Sequence, residues 1–218
     1  MLNTLCIYGS GGTGCEIVDM ARRIQTRHQT WERIVFVDDF KTESVWYETP
    51  VLNFESLSSE RGNYEFVIAQ GEPKNRQNLY TKVTEMGFSC TKVIDPTAII
   101  SPTAELADGV IVFPFSFISS HTRISCNVMI EINVIIGHDI TVGAHSVISS
   151  STVVGGKCSI GKSTFIGLNA TVKDRVAIGD SCILSMGSSV FQDIGHQMIA
   201  VGNPARVIRK NDGKAIFN

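Results

Sequence analysis

Two groups of residues in this chain have the types and spacing to do chemistry. His138 and Asp139 are adjacent. An imidazole titrates near neutral pH and can take a proton from a reacting group, and a neighbouring carboxylate can accept its other ring N–H and stabilise the imidazolium. The second group is Gly9-Ser-Gly-Gly-Thr-Gly14, with Asp38-Asp39 further along. In a Gly-x-Gly-x-x-Gly spacing, bare backbone can approach a phosphate or ribose, and a helix that starts there favours negative charge. Acidic residues closing the next strand can accept hydrogen bonds from sugar hydroxyls or a base. The same run also fits a tight turn with a satisfied helix start, or a dinucleotide site.

The elements around the glycines are short and alternate. Residues 5–8 are an apolar strand, 16–27 a helix with Ile17, Val18, Ala21 and Ile24 on one face, 33–37 a second strand and 64–69 a third. A helix is expected over 73–86, opening on Pro73 and stopping at Gly87, then a last strand at 92–94. That order predicts a small parallel α/β unit of Rossmann type over residues 1–95. The unit ends before a second nucleotide-binding half could form, which favours one mononucleotide over NAD.

His138 sits in a different pattern. From Ile100 to Val190, sixteen consecutive positions spaced six apart are Ile, Leu or Val. On a helix, six-residue steps advance roughly 600° and scatter over three directions. On a strand they share a face, yet strands usually run only about 3–10 residues. The chain must therefore turn after each short strand, with the recurring Gly and Asn expected to supply positive φ. The result is a β-solenoid over 96–218 with an aliphatic column inside. Four residues past each aliphatic the side chain is often small, as at Ser146, Thr152 and Cys158. After Val190 the pattern stops, and a tail carrying Arg206, Arg209, Lys210 and Lys214 follows.

With 218 residues, 43% of them hydrophobic, the chain can build a sizeable core. A net charge of −2 does not mark a nucleic-acid binder. The start has no signal-peptide pattern, no apolar run reaches membrane-spanning length, and six scattered cysteines without a C-x-x-C suit a reducing compartment. A soluble cytoplasmic protein is expected. The His and acid spacings suggest no metal site.

The unbroken hexads, the Gly-x-Gly-Gly opening, Val37-Asp38-Asp39-Phe40, Ile136-Gly-His138-Asp139 and Val201-Gly-Asn-Pro-Ala205 together resemble one family. It is the left-handed β-helix sugar acyltransferases of the NeuD/PglD type. The resemblance spans nearly the whole chain and implies a left-handed coil of three hexads per turn. It implies a homotrimer with active sites between neighbouring β-helices, and acetyl transfer from acetyl-CoA to a sugar, often the amine of a nucleotide-linked amino sugar. It makes His138 the general base, with Asp139 behind it. Gly156, one turn beyond, would offer its N–H to the thioester carbonyl. Leu168 and Met186 match positions that contact acetyl-CoA, and Lys157, Lys162 or Lys173 are available for its phosphates. Gly11, Gly12, Thr13, Asp38, Asp39 and Gly71 match the nucleotide-sugar site.

Three positions depart from that family's pattern. Val147 and Thr13 stand where members often have His, and Glu131 stands where some place an Asn near the acceptor amine. A carboxylate there can bind an ammonium, assist deprotonation or simply be an exposed charge. His145 lies near Val147, and His121 falls one turn before Asp139. The expectation is an N-acetyltransferase acting by direct attack on a nucleotide-linked 4-amino-deoxysugar for surface-glycan precursors. The rival readings are a sialic acid or sugar O-acetyltransferase and a non-catalytic sugar-nucleotide-binding β-helix.

Overall fold

A computed structural model of the chain describes residues 3–28, 30–57, 64–213 and 216; Lys214 of the basic tail lies outside them. The first unit is a six-stranded sheet. Its elements are β1 (Thr4–Tyr8), α1 (Gly12–Arg27), β2 (Arg33–Val37), β3 (Val45–Trp46), β4 (Thr49–Leu52), β5 (Tyr64–Ile68), α2 (Pro73–Glu85) and β6 (Ser89–Cys90), in the sheet order β3-β4-β2-β1-β5-β6. β1 lies at the centre, parallel to β2 on one side and β5 on the other. The loops after β1 and β5 therefore open together where the strand order reverses, the crevice at which such sheets take ligands. Strand alternation sends Leu5 and Ile7 toward α1, and Cys6 and Tyr8 toward Val83 and Leu79 of α2.

The structure departs from the sequence reading at two places here. The β3–β4 hairpin was not expected, because Val45 and Trp46 are exposed and show no buried face to read. The strand expected at 92–94 does not close this sheet. Val93–Ile94 pairs with Ile111–Val112 as the first rung of the coil, and β6 takes the sheet edge instead. A two-residue apolar strand carries no period that could assign it to either sheet.

The remainder is a three-sided coil of two-residue parallel strands, each paired with the strand eighteen residues on: Ile111 with Met129, Ile118 with Ile136, Ile124 with Val142. The first face runs from Val93–Ile94 through Ile183–Leu184 to Met198–Val201, the second from Ile99–Ile100 to Ser189–Val190, the third from Glu105–Leu106 to Ala177–Ile178. The hexad aliphatics from Val112 to Val190 are all buried in one column, while Ile100 and Leu106 are part-buried at its open end.

The corners meet the expectation in part: Asn127, Asn133 and Asn169, with Gly109 and Gly187, take positive φ, whereas the recurring hexad glycines do not. Positive φ falls at every sixth residue from Gly109 to Gly187, and most of these residues are not glycine; Phe115, His121, Asp139, Lys157 and Arg175 are among them. The hexad glycines serve clearance. A methyl on Gly143 would lie 2.4 Å from Lys162 N, and one on Gly161 2.4 Å from Asp180 N. The small residues before each strand also carry a hydrogen-bond ladder. Ser116, Thr122, Ser146, Thr152 and Thr164 donate to carbonyls of the next coil at 131, 137, 161, 167 and 179. These hydroxyls stabilise the left-handed corner residues, each of which costs roughly 1–2 kcal/mol in isolation.

The first face is covered. Its outward residues Val93, Ile111, Met129, Val147 and Phe165 share one buried cluster with Ile17, Met20 and Ala21 of α1, so α1 is packed between sheet and coil. Nε and Nη2 of Arg23 in α1 both donate to one oxygen, Oδ2, of the buried Asp95 carboxylate, at 3.0 and 2.7 Å. Beyond the hexads, the basic tail is also structured: Arg206–Lys210 folds back as an antiparallel strand on Met198–Val201, extending the first face.

Candidate active site

His138 projects from the corner between the second and third faces, with its side chain about half exposed. Asp139 has φ 56, and that left-handed turn brings its carboxylate back to its neighbour, Nδ1 to Oδ2 2.7 Å. A carboxylate only accepts, so Nδ1 carries the proton and Nε2 of the neutral ring holds the lone pair a base needs. The bond from His138 holds the Asp139 carboxyl below the usual range, helped by the charges of His138, His121 and Lys157 against slight burial. His121, one coil earlier, sits 3.7 Å from the other Asp139 oxygen.

Gly156 lies one turn beyond, under the imidazole. A methyl there would sit 2.6 Å from His138 Nε2, so the glycine makes room for the ring. Its N–H, read from the sequence as an oxyanion donor, instead donates to Asp174 Oδ1 at 2.8 Å. Asp174 was missed; its place one coil after Gly156 was the signal that could have found it. Lys157 and Lys173 share this corner, whereas Lys162 lies at the corner between the third and first faces.

Leu168, Met186 and Glu131 gather at the opposite edge of the second face. They line one cavity of about 560 Å³, walled by Phe165, Ile183, Ile199 and Val201 and reached by Arg209. Leu168 and Met186 are exposed, Met186 by 71%. Glu131 is only part-exposed, and Ser150 N–H and Oγ both donate to its Oε2 at 2.9 and 3.0 Å. That pins the carboxylate at the cavity wall, unlike a free solenoid charge.

The nucleotide-loop residues separate into two kinds. Gly9 and Gly14 are needed by packing: a methyl would meet Ala69 O at 2.9 Å and Gly9 O at 2.2 Å. Gly11 and Gly12 have open space where a side chain would be, and α1 starts there with no side-chain cap. Thr13 lies part-exposed in the first turn, and Gly71 part-exposed after β5. Asp38 accepts from Ser10 N–H and Oγ on one oxygen and from Phe40 and Lys41 N–H on the other. Burial alone would raise its pKa, and these bonds outweigh that and lower it. Asp39 accepts from Tyr8 Oη, Lys82 Nζ and Phe54 N–H. Both carboxylates are thus engaged within the protein and shape the loop from behind.

His145 belongs to neither group. Its Nδ1 faces Asn127 Nδ2 at 2.9 Å and its ring packs edge-on to Tyr80, 5.3 Å between centroids. Burial first, then the charges of Arg76 and Lys162, lower its pKa.

Residues 4–83 match the family model of the PglD N-terminal domain, and residues 157–192 that of the hexapeptide repeat of succinyl-transferase. Among solved structures, a single-residue variant of perosamine N-acetyltransferase from Caulobacter crescentus, in complex with CoA and GDP-perosamine, superimposes with a TM-score of 0.88 at 27% identity, covering 96% of this chain and 99% of that one. The acetyltransferase domain of PglB from Neisseria gonorrhoeae, in complex with acetyl coenzyme A, shares the fold with a TM-score of 0.89 at 24% identity, covering 95% and 100%. WeeI from Acinetobacter baumannii shares it at 0.87 and 23%, covering 94% and 99%. The chain thus joins a PglD-type N-terminal domain to a hexapeptide-repeat coil, the combination it shares with the sugar N-acetyltransferases of the left-handed β-helix type.

Proposed function

We propose that this chain transfers acetyl from acetyl-CoA to the C4 amine of a nucleotide-linked amino-deoxysugar, in the cytoplasm, for surface-glycan precursors. Residues 1–95 hold the nucleotide sugar and 96–218 the acyl donor. The carrying observation is an arrangement: the His138–Asp139 pair and the Leu168–Met186 cavity flank opposite edges of the second face. That face exposes an apolar column, Ile99, Phe117, Ile135 and Val153, between 38 and 64% each. Three copies around a threefold axis would bury this column and set the imidazole of one copy beside the cavity of the next. A homotrimer with three inter-subunit sites follows, with no nucleic-acid or membrane partner; among the described residues no helix is long and apolar enough to cross a membrane.

The site fits the donor. The apolar cavity suits a pantetheine arm, and Arg209, Lys157 and Lys173 supply charge for phosphates. Acetyl-CoA brings the activated thioester. Glu131, held by Ser150, attracts the acceptor's ammonium, which sheds one proton to solvent to become the free amine. As that nitrogen attacks the thioester carbon, His138 Nε2 takes the second proton, Asp139 stabilises the imidazolium, and the imidazolium protonates the CoA thiolate as the C–S bond breaks. No acyl-enzyme is needed. Gly11 and Gly12, with the open start of α1, hold the diphosphate. The perosamine enzyme, bound to CoA and an amino-sugar nucleotide, supports the substrate class.

A thiol-release assay against amino-sugar nucleotides and sialic acids tests this. Turnover is expected with the amino-sugar nucleotides, and His138→Ala lowers it about 10²–10⁴-fold with the melting temperature preserved. Turnover only on sialic acid would replace the acceptor, and near-wild-type activity of His138→Ala would remove the base.

A further inference from the structure

α2 is docked along a column of coil corners spaced eighteen residues apart: Gly109, Asn127, His145 and Ser163. Tyr80 packs on Gly109 and His145, Gln77 accepts from Ser163 Oγ at 3.0 Å, and Arg76 meets Asn127. Arg76 is fully buried. Its Nε and Nη2 donate to Asn127 O at 3.2 and 3.0 Å, and Nη2 also to Asn127 Oδ1 at 2.9 Å. Nη1 donates to Ile68 O at 2.5 Å and Gln70 O at 3.0 Å. The Asn127 amide returns a bond to Arg76 O at 3.1 Å. Among the described residues no carboxylate pairs with this guanidinium; its acceptors are neutral.

A buried cation without a counter-ion is a poor device for stability alone, since apolar groups of similar volume often serve as well or better. What it supplies is geometry. Ile68 ends β5 and Gln70 precedes Gly71, so one rigid fork spans from the loop beside the glycine run to the coil. We propose that Arg76 is the positioning residue of the acceptor loop, tying the Ile68 and Gln70 carbonyls to the corner at Asn127 and so fixing Gly71 relative to the β-helix. This rests on the nucleotide-sugar reading of that loop. A lysine keeps the charge but lacks the planar fork, so it cannot hold both ends at once.

The test compares Arg76→Lys with wild type in hydrogen exchange and in binding of UDP, dTDP and GDP. Faster exchange confined to residues 70–72 is expected. With it, nucleoside diphosphate Kd and nucleotide-sugar KM rise at least 10-fold, while kcat and the acetyl-CoA KM stay within about threefold. Should Arg76→Lys fail to fold, Asn127→Ser removes the two side-chain bonds at the coil end of the tie and leaves the backbone carbonyl in place. Serine already occupies the left-handed corners 163 and 181 of the same column, and the same pattern with smaller shifts is expected. Unchanged loop exchange and unchanged Kd in a folded variant overturn the proposal. Wild type that binds none of the nucleotides overturns the acceptor reading instead, and the exchange comparison still decides whether Arg76 holds the loop.

Discussion

The first and second faces of the coil are made of the same rungs, yet their outward columns meet opposite fates. On the first face Ile111, Met129 and Val147 are fully buried under α1, whereas on the second Ile99, Phe117, Ile135 and Val153 stay exposed. The third face presents Glu105, Arg123, Thr141, Ser159 and Ala177, which is what a solvent face looks like. A solenoid therefore does not decide from its own periodicity which side is wet; the cover does. An uncovered column of aliphatic and aromatic side chains is the surface that the proposed trimer would close.

The largest effect should come from spoiling that column. Ile135→Glu puts a charge in the centre of the second face without touching the inner column. The expected outcome is a monomer in sedimentation or light scattering, with acetyl transfer down at least about 100-fold because His138 and the cavity no longer meet. Arg123→Glu on the third face serves as the control and keeps assembly. A stable, active Ile135→Glu trimer would break the contrast between the two faces.

Truncations sharpen it next. Ile111→Ala on the covered face should lower unfolding free energy by about 2–5 kcal/mol, independent of protein concentration. Ile135→Ala should instead weaken the protein more as it is diluted, since in the proposed trimer its partner is another chain. Denaturant melts at two concentrations a hundredfold apart distinguish the two.

The hexads disclosed the coil because burial of one residue in six is a strong constraint repeated along nearly half the chain. His138 falls two residues past inward Ile136, a step that lets a side chain leave the coil. Much else was not legible. In sequence Asp38 and Asp39 look like free acceptors for sugar hydroxyls, and nothing there shows that Ser10, Lys82 and Tyr8 already donate to them. Nothing in the composition of 92–94 says that it belongs to the coil, and nothing beside Arg76 in sequence announces Asn127, fifty-one residues away. Long-range pairing of polar groups has no period, so it stays hidden until the chain is folded.

A smaller effect concerns how the covered face is held. Asp95, fully buried, accepts from Arg23 and from Thr97 N–H and Oγ. Burial would raise its pKa, but the bonds from Thr97 and Arg23 dominate and lower it. With the folded pKa depressed, the stabilisation is full above the ordinary value of about 3.9 and is lost as pH falls through the folded pKa. Asp95→Asn should cost about 1–2 kcal/mol at pH 7, allowing for the half-exposed Arg23 head, and the cost should shrink as pH falls below the ordinary carboxylate range and through the folded pKa. A pH series of melts in wild type and variant checks the convergence.

The smallest effect asks whether the coil itself is indifferent to which face is covered. Thr152, leading into the second face, donates to Gly167 O, and Ser146, leading into the first, donates to Gly161 O. Ser188 also leads into the second face, at its last rung, where the hexads have ended; among the described residues its Oγ is the buried side-chain polar atom without a partner. Ser146→Ala should therefore destabilise by about 1 kcal/mol, while Ser188→Ala should be neutral or stabilise by up to about 1 kcal/mol. Thr152→Ser, which keeps the hydroxyl, should hold its ladder bond. If Ser188→Ala instead destabilised as much as Ser146→Ala, that hydroxyl would have found a partner across the subunit boundary, and the interface would extend to the end of the second face.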